Sequence, residues 1–301
     1  MQAARGAAVA ALLCSFFLCA APSYCQIGES RPALYTRTPR HGPRLMIDAH
    51  RGWAVNTGTV GSVIQRTSDG GKTWQDRTPP GFADIAPDLG GEDIDVPERT
   101  FGLSALDARQ CWVSFGGTVH GREVLVVERT QDGGQHWRRA VFSGAANSTV
   151  LQFLDTRHGF LLALGGPMTG EMQKDFYSTA DGGKTWTKGG SPDMVLGNYY
   201  PTGMAFRSVR EGWITGTNHG DPSVPLIRTR DGGRTWQVQT VDLPNSYEAA
   251  NTYSPRFHGE GRRQGAFTAQ LYGPHRLTVN YITHDGGGHW AIAPPARRKY
   301  P

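Results

Sequence analysis

Thr229-Arg230-Asp231-Gly232-Gly233-Arg234-Thr235-Trp236 is one of five near-copies of an octapeptide in a chain of 301 residues. The other copies begin at Thr67, Thr130, Thr179 and Thr283 and end at Trp74, Trp137, Trp186 and Trp290. Their aspartates, Asp69, Asp132, Asp181, Asp231 and Asp285, are separated by 63, 49, 50 and 54 residues, the period of a repeat architecture. Each copy reads Thr-x-Asp-Gly-Gly-x-(Thr/His)-Trp and follows a short apolar or β-branched run such as Ser62-Val63-Ile64-Gln65-Arg66. Two glycines after an aspartate predict a tight hairpin turn, because glycine takes positive φ without a Cβ clash. The aspartate is expected to lock that turn by accepting N–H bonds from its own loop. The tryptophan then begins the next strand and offers a large apolar surface to a neighbouring unit. Five equivalent turns point to five different places, so the aspartates read as local staples and not as a shared set of catalytic acids or metal ligands.

A second motif precedes each octapeptide by 20 to 30 residues: Ile47-Asp48-Ala49-His50-Arg51-Gly52-Trp53-Ala54-Val55, then Leu106 to Val113, then Leu154 to Leu161. The fourth copy, Phe206 to Ile214, has lost the aspartate, and the fifth, from Phe257 to Phe267, is the most degraded. An apolar run, a polar turn and Gly-aromatic-apolar is a strand-turn-strand pattern. All eight tryptophans fall in the two motifs. Each unit thus reads as four short strands, and the chain as an all-β protein: a single β-propeller of four-stranded antiparallel blades. Five blades are expected, or six if Ala33-Leu34-Tyr35-Thr36-Arg37-Thr38 and the long insertion after Trp74 combine into another. The 40 glycines and 19 prolines and the lack of sustained helical periodicity agree with this.

The octapeptide resembles the Asp-box, or bacterial neuraminidase repeat, of sialidases, xyloglucanases and sortilin-type receptors. Together with the Asp-x-x-x-Gly-Trp-Ala-Val motif it is most similar to the photosystem II stability and assembly factor family, over about Leu45 to Ala293. That resemblance implies a non-catalytic propeller whose basic face holds a protein client. The assembly factors are seven-bladed, from which this chain departs. Charge alone nominates Arg37, Arg40, Arg44, Arg262 and Arg263 as the partner surface.

Residues 1–25 read as a signal peptide, with Arg5, an apolar run from Ala7 to Leu18 and small residues before Gln26. Residues 26–301 then form the propeller domain, exported to the periplasm or secreted, with no transmembrane segment after cleavage. Only Cys111 remains in that domain, where other repeats carry glycine, so it reads as a buried small residue. The insertion from Gln75 to Thr100 carries Asp84, Asp88, Glu92, Asp93, Asp95 and Glu98. It lacks the spacing of a dedicated calcium loop and reads as a solvated acidic loop; no metal or cofactor is expected. The insertion from Asp242 to Arg256 places Asn245, Tyr247, Glu248, Asn251 and Tyr253 on a long loop at the propeller mouth. Those are the residue types of a glycan or peptide site.

A net charge of +5 is too small and too scattered for a nucleic-acid surface. The first functional reading is an exported, non-catalytic scaffold for a protein partner. The alternative is a glycoside hydrolase of sialidase or xyloglucanase type, or a glycan- or peptide-binding receptor domain. Against the hydrolase, the Phe-Arg-Ile-Pro motif of bacterial sialidases is absent, and no carboxylate pair is placed by the sequence.

Overall fold

The computed structural model describes residues 42–58, 61–86, 101–166, 172–197, 199–217, 224–247 and 249–294. The expected signal peptide, Arg37, Arg40 and the segment 33–38 lie outside them.

Five antiparallel sheets follow one another along the chain. The first is β1 (Arg44–Met46), β2 (Gly52–Gly58), β3 (Gly61–Thr67) and β4 (Gln75–Asp76). The second is β5 (Gly102–Ala105), β6 (Cys111–Val119), β7 (Arg122–Thr130) and β8 (Trp137–Ser143), and the third β9 (Ser148–Phe153), β10 (Gly159–Leu164), β11 (Lys174–Thr179) and β12 (Thr187–Lys188). A single helical turn, α1 (Asp193–Leu196), precedes the fourth: β13 (Tyr200–Phe206), β14 (Gly212–Thr217), β15 (Leu226–Thr229) and β16 (Gln237–Val238). The fifth is β17 (Ala249–Thr252), β18 (Arg256–His258), β19 (Gln264–Tyr272), β20 (Leu277–Thr283) and β21 (Ala291–Ile292). Strands pair in sequence order within each sheet, and in the fifth both β17 and β18 pair with β19. This is the all-β, five-bladed propeller expected from the repeats.

The insertion from Asp242 to Arg256 is therefore not one long loop. Ala249 to Thr252 is the first strand of the fifth sheet, and the Tyr253 N–H bonds Thr268 O at 3.0 Å. The polar residue types there hid a strand whose Ala250 and Thr252 are fully buried.

Between consecutive sheets the packing repeats. The second residue of the second strand is Trp53, Trp112, Phe160 or Trp213, each buried. Trp112 stacks on Phe153 of the next sheet with centroids 4.0 Å apart, Phe160 on Phe206 at 3.6 Å, and Trp213 leans on Phe257 at 4.8 Å. The octapeptide tryptophan of the later sheet closes each boundary edge-on. Trp137 meets Trp53 at 6.1 Å, Trp186 meets Phe153 at 6.0 Å, Trp236 meets Phe206 at 6.2 Å, and Trp290 meets Trp213 at 6.4 Å. Four buried apolar clusters result, one for each boundary from first to fifth. At the matching position the fifth sheet has Ala266, and its outward residues Ala266, Thr268, Gln270 and Tyr272 are partly or fully exposed while Phe267, Ala269 and Leu271 are buried.

The insertion after Trp74 also contributes to the core, where the sequence suggested solvated loop. Phe82 is buried and packs against Phe101 and Phe115, with centroids 6.0 and 5.1 Å away.

Candidate functional site

Two turns of every sheet lie on one face and are bonded together. The N–H of the first octapeptide glycine donates to a carbonyl in the preceding turn: Gly70 to His50, Gly133 to Arg109, Gly182 to Arg157, Gly232 to Arg210 and Gly286 to Arg263, at 2.6–2.9 Å. Both glycines of all five copies take φ between 77° and 85°, which a Cβ would strain. In the fourth copy the Thr229 hydroxyl donates to Asp231 Oδ1 at 2.8 Å and accepts the Gly233 N–H at 2.8 Å. Asp231 accepts the N–H groups of Arg234 and Thr235 and, through Oδ2, the Thr235 hydroxyl at 2.6 Å. The other copies repeat this, with His136 and His289 replacing the threonine. Burial works against ionisation at Asp181 and Asp231, but these bonds outweigh it and hold both carboxyls at about 2. Every octapeptide carboxylate is thus consumed by its own turn, which leaves this face without a free catalytic acid in that motif.

The preceding turns are capped in the same way. Asp48, Asp107 and Asp155 each accept two backbone N–H groups, and Ser208 replaces them in the fourth sheet. The fifth turn, Gly259 to Arg263, has lost the cap. It includes a short 3-10 segment, Glu260–Arg262, with Arg262 at φ 50°.

The opposite face carries the longer connections, anchored by buried polar groups at the ends of the strands. Thr149 of β9 accepts the Gly102 N–H at 2.9 Å and donates to Ser114 O at 2.9 Å, joining third to second sheet. Thr252 of β17 donates to Pro225 O at 2.8 Å and accepts the Gly216 N–H at 3.1 Å, joining fifth to fourth. Lys174 is 1% exposed, and its ammonium donates to Met172 O, Asp193 Oδ1 and Gly197 O at 2.6, 2.7 and 2.8 Å. All three of its protons are used, and the segment around α1 is pinned to the third sheet.

One group of aromatic and polar side chains gathers at the β19–β20 hairpin on this face. At the β19–β20 hairpin, Asn251 Nδ2 donates to the Tyr272 hydroxyl at 2.8 Å, and the Arg276 guanidinium lies 5.6 Å from the Tyr272 ring centre. The Tyr247 hydroxyl and His275 Nε2 are 2.9 Å apart. Tyr253 belongs to the same group: its phenol pKa is raised by burial and then by the neighbouring Tyr272. Tyr281 donates to Asp242 O at 2.8 Å and, pushed up to about 12 by burial, fixes the start of the connection that delivers Tyr247.

The structure sets Tyr253 beside Tyr272 and Tyr247 beside His275, with Tyr247 also packed against the fifth-sheet core, leaves Asn245 exposed on a turn, and excludes Glu248 from the described residues. Sequence reasoning missed Tyr272, His275 and Arg276, although Gly273-Pro274 between two apolar runs marks a turn whose flanks face the same end. Of the arginines nominated by charge, Arg44 lies 4.7 Å over the Trp74 ring. Arg262 Nη1 donates to Arg207 O at 3.4 Å, and Arg263 lines a cavity of about 570 Å³ with Glu260, Gln264 and His284. Cys111 is fully buried, which pushes its thiol well up and suppresses the thiolate. Among the described residues no group of three or more His, Cys, Asp or Glu side chains is arranged to hold a metal, and no helix is long and apolar enough to cross a membrane.

No protein-family model matches this chain, and no curated protein sequence does either. Solved structures resemble it in fold. The GH74 xyloglucanase from Xanthomonas campestris superposes with a TM-score of 0.49 at 16% identity, over 82% of this chain and 37% of that one. A Hadza microbial sialidase gives 0.48 at 15% identity, over 76% and 51%. A PL25 ulvan lyase gives 0.49 at 11% identity, over 88% and 84%. This chain spans between about a third and a half of the xyloglucanase and the sialidase. The expectation of a non-catalytic scaffold of the photosystem II assembly type is corrected here and not carried further: the structures matched include xyloglucanases, a sialidase and arabinan-cleaving enzymes, and the likeness is one of fold.

Proposed function

We propose that this chain is a carbohydrate-active propeller of the glycoside-hydrolase kind, holding a glycan against the Tyr272 group of the fifth sheet. The observation that carries the reading is the gathering of Tyr253, Asn251 and Arg276 about Tyr272, with the Tyr247–His275 pair at the turn of the same hairpin. Flat rings cover the apolar faces of sugar rings, while an amide, phenols, an imidazole and a guanidinium match ring hydroxyls. Glycosidic cleavage needs two carboxylates about the scissile bond. Asp175 and Asp193 are committed to Lys188 and Lys174, both at ion-pair distances of 2.7–2.8 Å. Of the acids in the connection after β4, Asp84 is described, while Asp88, Glu92, Asp93, Asp95, Glu98 and, before β17, Glu248 lie outside the described residues.

The test is titration of the chain with xyloglucan, arabinan, sialoside and uronate-containing oligosaccharides, followed by product analysis on any that bind. Tyr272→Ala is expected to weaken binding by about tenfold or more, the scale of losing an aromatic contact of 1–2 kcal/mol. Binding that survives Tyr272→Ala and His275→Ala unchanged would refute the site. Tight binding with no cleavage of any oligosaccharide would refute the hydrolase part.

A further inference from the structure

The second sheet departs from the repeat at one charged position. In the first and fourth sheets an arginine on the third strand lies opposite a glutamine on the fourth: Arg66 opposite Gln75, and Arg228 opposite Gln237. In the second sheet Arg129 lies opposite Arg138. Like charges directly opposite on antiparallel strands repel. Arg228 has a counter-charge, Glu211 Oε1 at 2.8 Å. Among the described residues no carboxylate lies within ion-pair distance of Arg129 or Arg138.

Arg129 is half-buried; burial, then Arg138, lower its pKa, and Asp181 acts in the opposite sense. The two arginines line a cavity of about 240 Å³ with Gln131, Asp132 and His136. Asp132 forms no ion pair with either arginine. Its oxygens are taken by the Thr130 hydroxyl, the N–H groups of Gln135 and His136, and the His136 imidazole at 2.7 Å. The cavity thus presents two guanidiniums, an amide and an imidazole beside one carboxylate already held by its own turn.

We propose that this cavity is an oxyanion site, in which a carboxylate or sulfate group bridges Arg129 and Arg138. Guanidinium forks match the oxygens of both groups and hold them bidentately. A bound anion removes the repulsion that the empty pair carries. The site lies on the octapeptide face, away from the Tyr272 group, and does not rest on the glycan reading.

The test uses the full chain, titrated with sodium sulfate and separately with sodium glucuronate at ionic strength held constant with chloride. The readout is the guanidinium Nε–H resonances of Arg129 and Arg138. Arg138→Gln installs the residue that the first and fourth sheets carry, so the sheet is expected to fold. Saturable shifts are expected in the wild type, with affinity reduced about tenfold or more in Arg138→Gln. Stronger saturation by sulfate identifies a sulfate ester as the natural group, and stronger saturation by glucuronate a carboxylate. No saturation with either anion, or the same curve in wild type and Arg138→Gln, overturns the proposal.

Discussion

Phe160 and Phe206 lie face to face across the boundary of the third and fourth sheets, with centroids 3.6 Å apart and planes inclined by 8°. Trp236 closes the pair edge-on, 6.2 Å from Phe206. Phe206 is 2% exposed, so Phe206→Ala opens a cavity between two sheets without exposing an alternative partner. The expected cost is about 3–5 kcal/mol, read as a lower denaturant midpoint. A loss under about 1 kcal/mol would mean the neighbouring rings collapse into the gap.

Thr149 joins sheets through its hydroxyl alone. Thr149→Val keeps the shape but strands the Gly102 N–H in a buried site. An unsatisfied buried donor costs about 1–3 kcal/mol. The same substitution at Thr268, whose hydroxyl is paired with Asn280 on the exposed face, is expected to be nearly neutral, and equal losses at both positions would contradict this account.

Glu128 is 1% exposed and is held by Arg139. Burial dominates its titration and raises its pKa, with Arg139 pulling the other way. Arg139→Met removes that opposition and leaves a buried charge, at a cost of about 3–5 kcal/mol at neutral pH. A carboxyl whose folded pKa is raised favours folding below its unfolded value near 4.3 and loses that contribution as pH rises through the folded value. The variant is therefore expected to regain stability on acidification from neutrality, measured by urea melts across pH. Adding Glu128→Gln in the same background should flatten the dependence.

Asp181 and Asp231 titrate in the opposite sense. Both have folded values of about 2, below the ordinary aspartate value. Their turns are fully stabilised above the unfolded value near 3.9, and that contribution is lost as pH falls towards 2. Carboxyl-carbon NMR titration of the two aspartates is the direct check, and midpoints near 3.9 would mean the turn hydrogen bonds do not persist in solution.

The scaffold was legible because each element of it is local. Two glycines that need positive φ, an aspartate that needs N–H donors and a tryptophan that needs an apolar neighbour all fall within eight residues, five times over. The Tyr272 group was only half legible. Tyr247 and Tyr253 stand out in a polar insertion, but Tyr272 and Arg276 come from a hairpin distant in sequence, and Tyr272 reaches Asn251 and Tyr253 only through the pairing of β17 with β19. Phe82 was hidden for the same reason: in a segment of proline, glycine and acid, nothing local says that one ring reaches Phe101 and Phe115. The Arg129–Arg138 opposition depends on register, which the sequence does not state until the turn between the strands is placed.

The bond from each octapeptide glycine to the preceding turn closes one end of every sheet upon itself. Changes of length at the other end do not reach that closure. The β6–β7 hairpin shows the junction clearly, since Val119 pairs with Arg122 and only His120 and Gly121, both at positive φ, complete the reversal. A foreign peptide grafted between them would be carried by strands whose opposite ends are already clasped. The protein is thus a ready frame for displaying inserted sequences, with one rim fixed and the other open to rewriting.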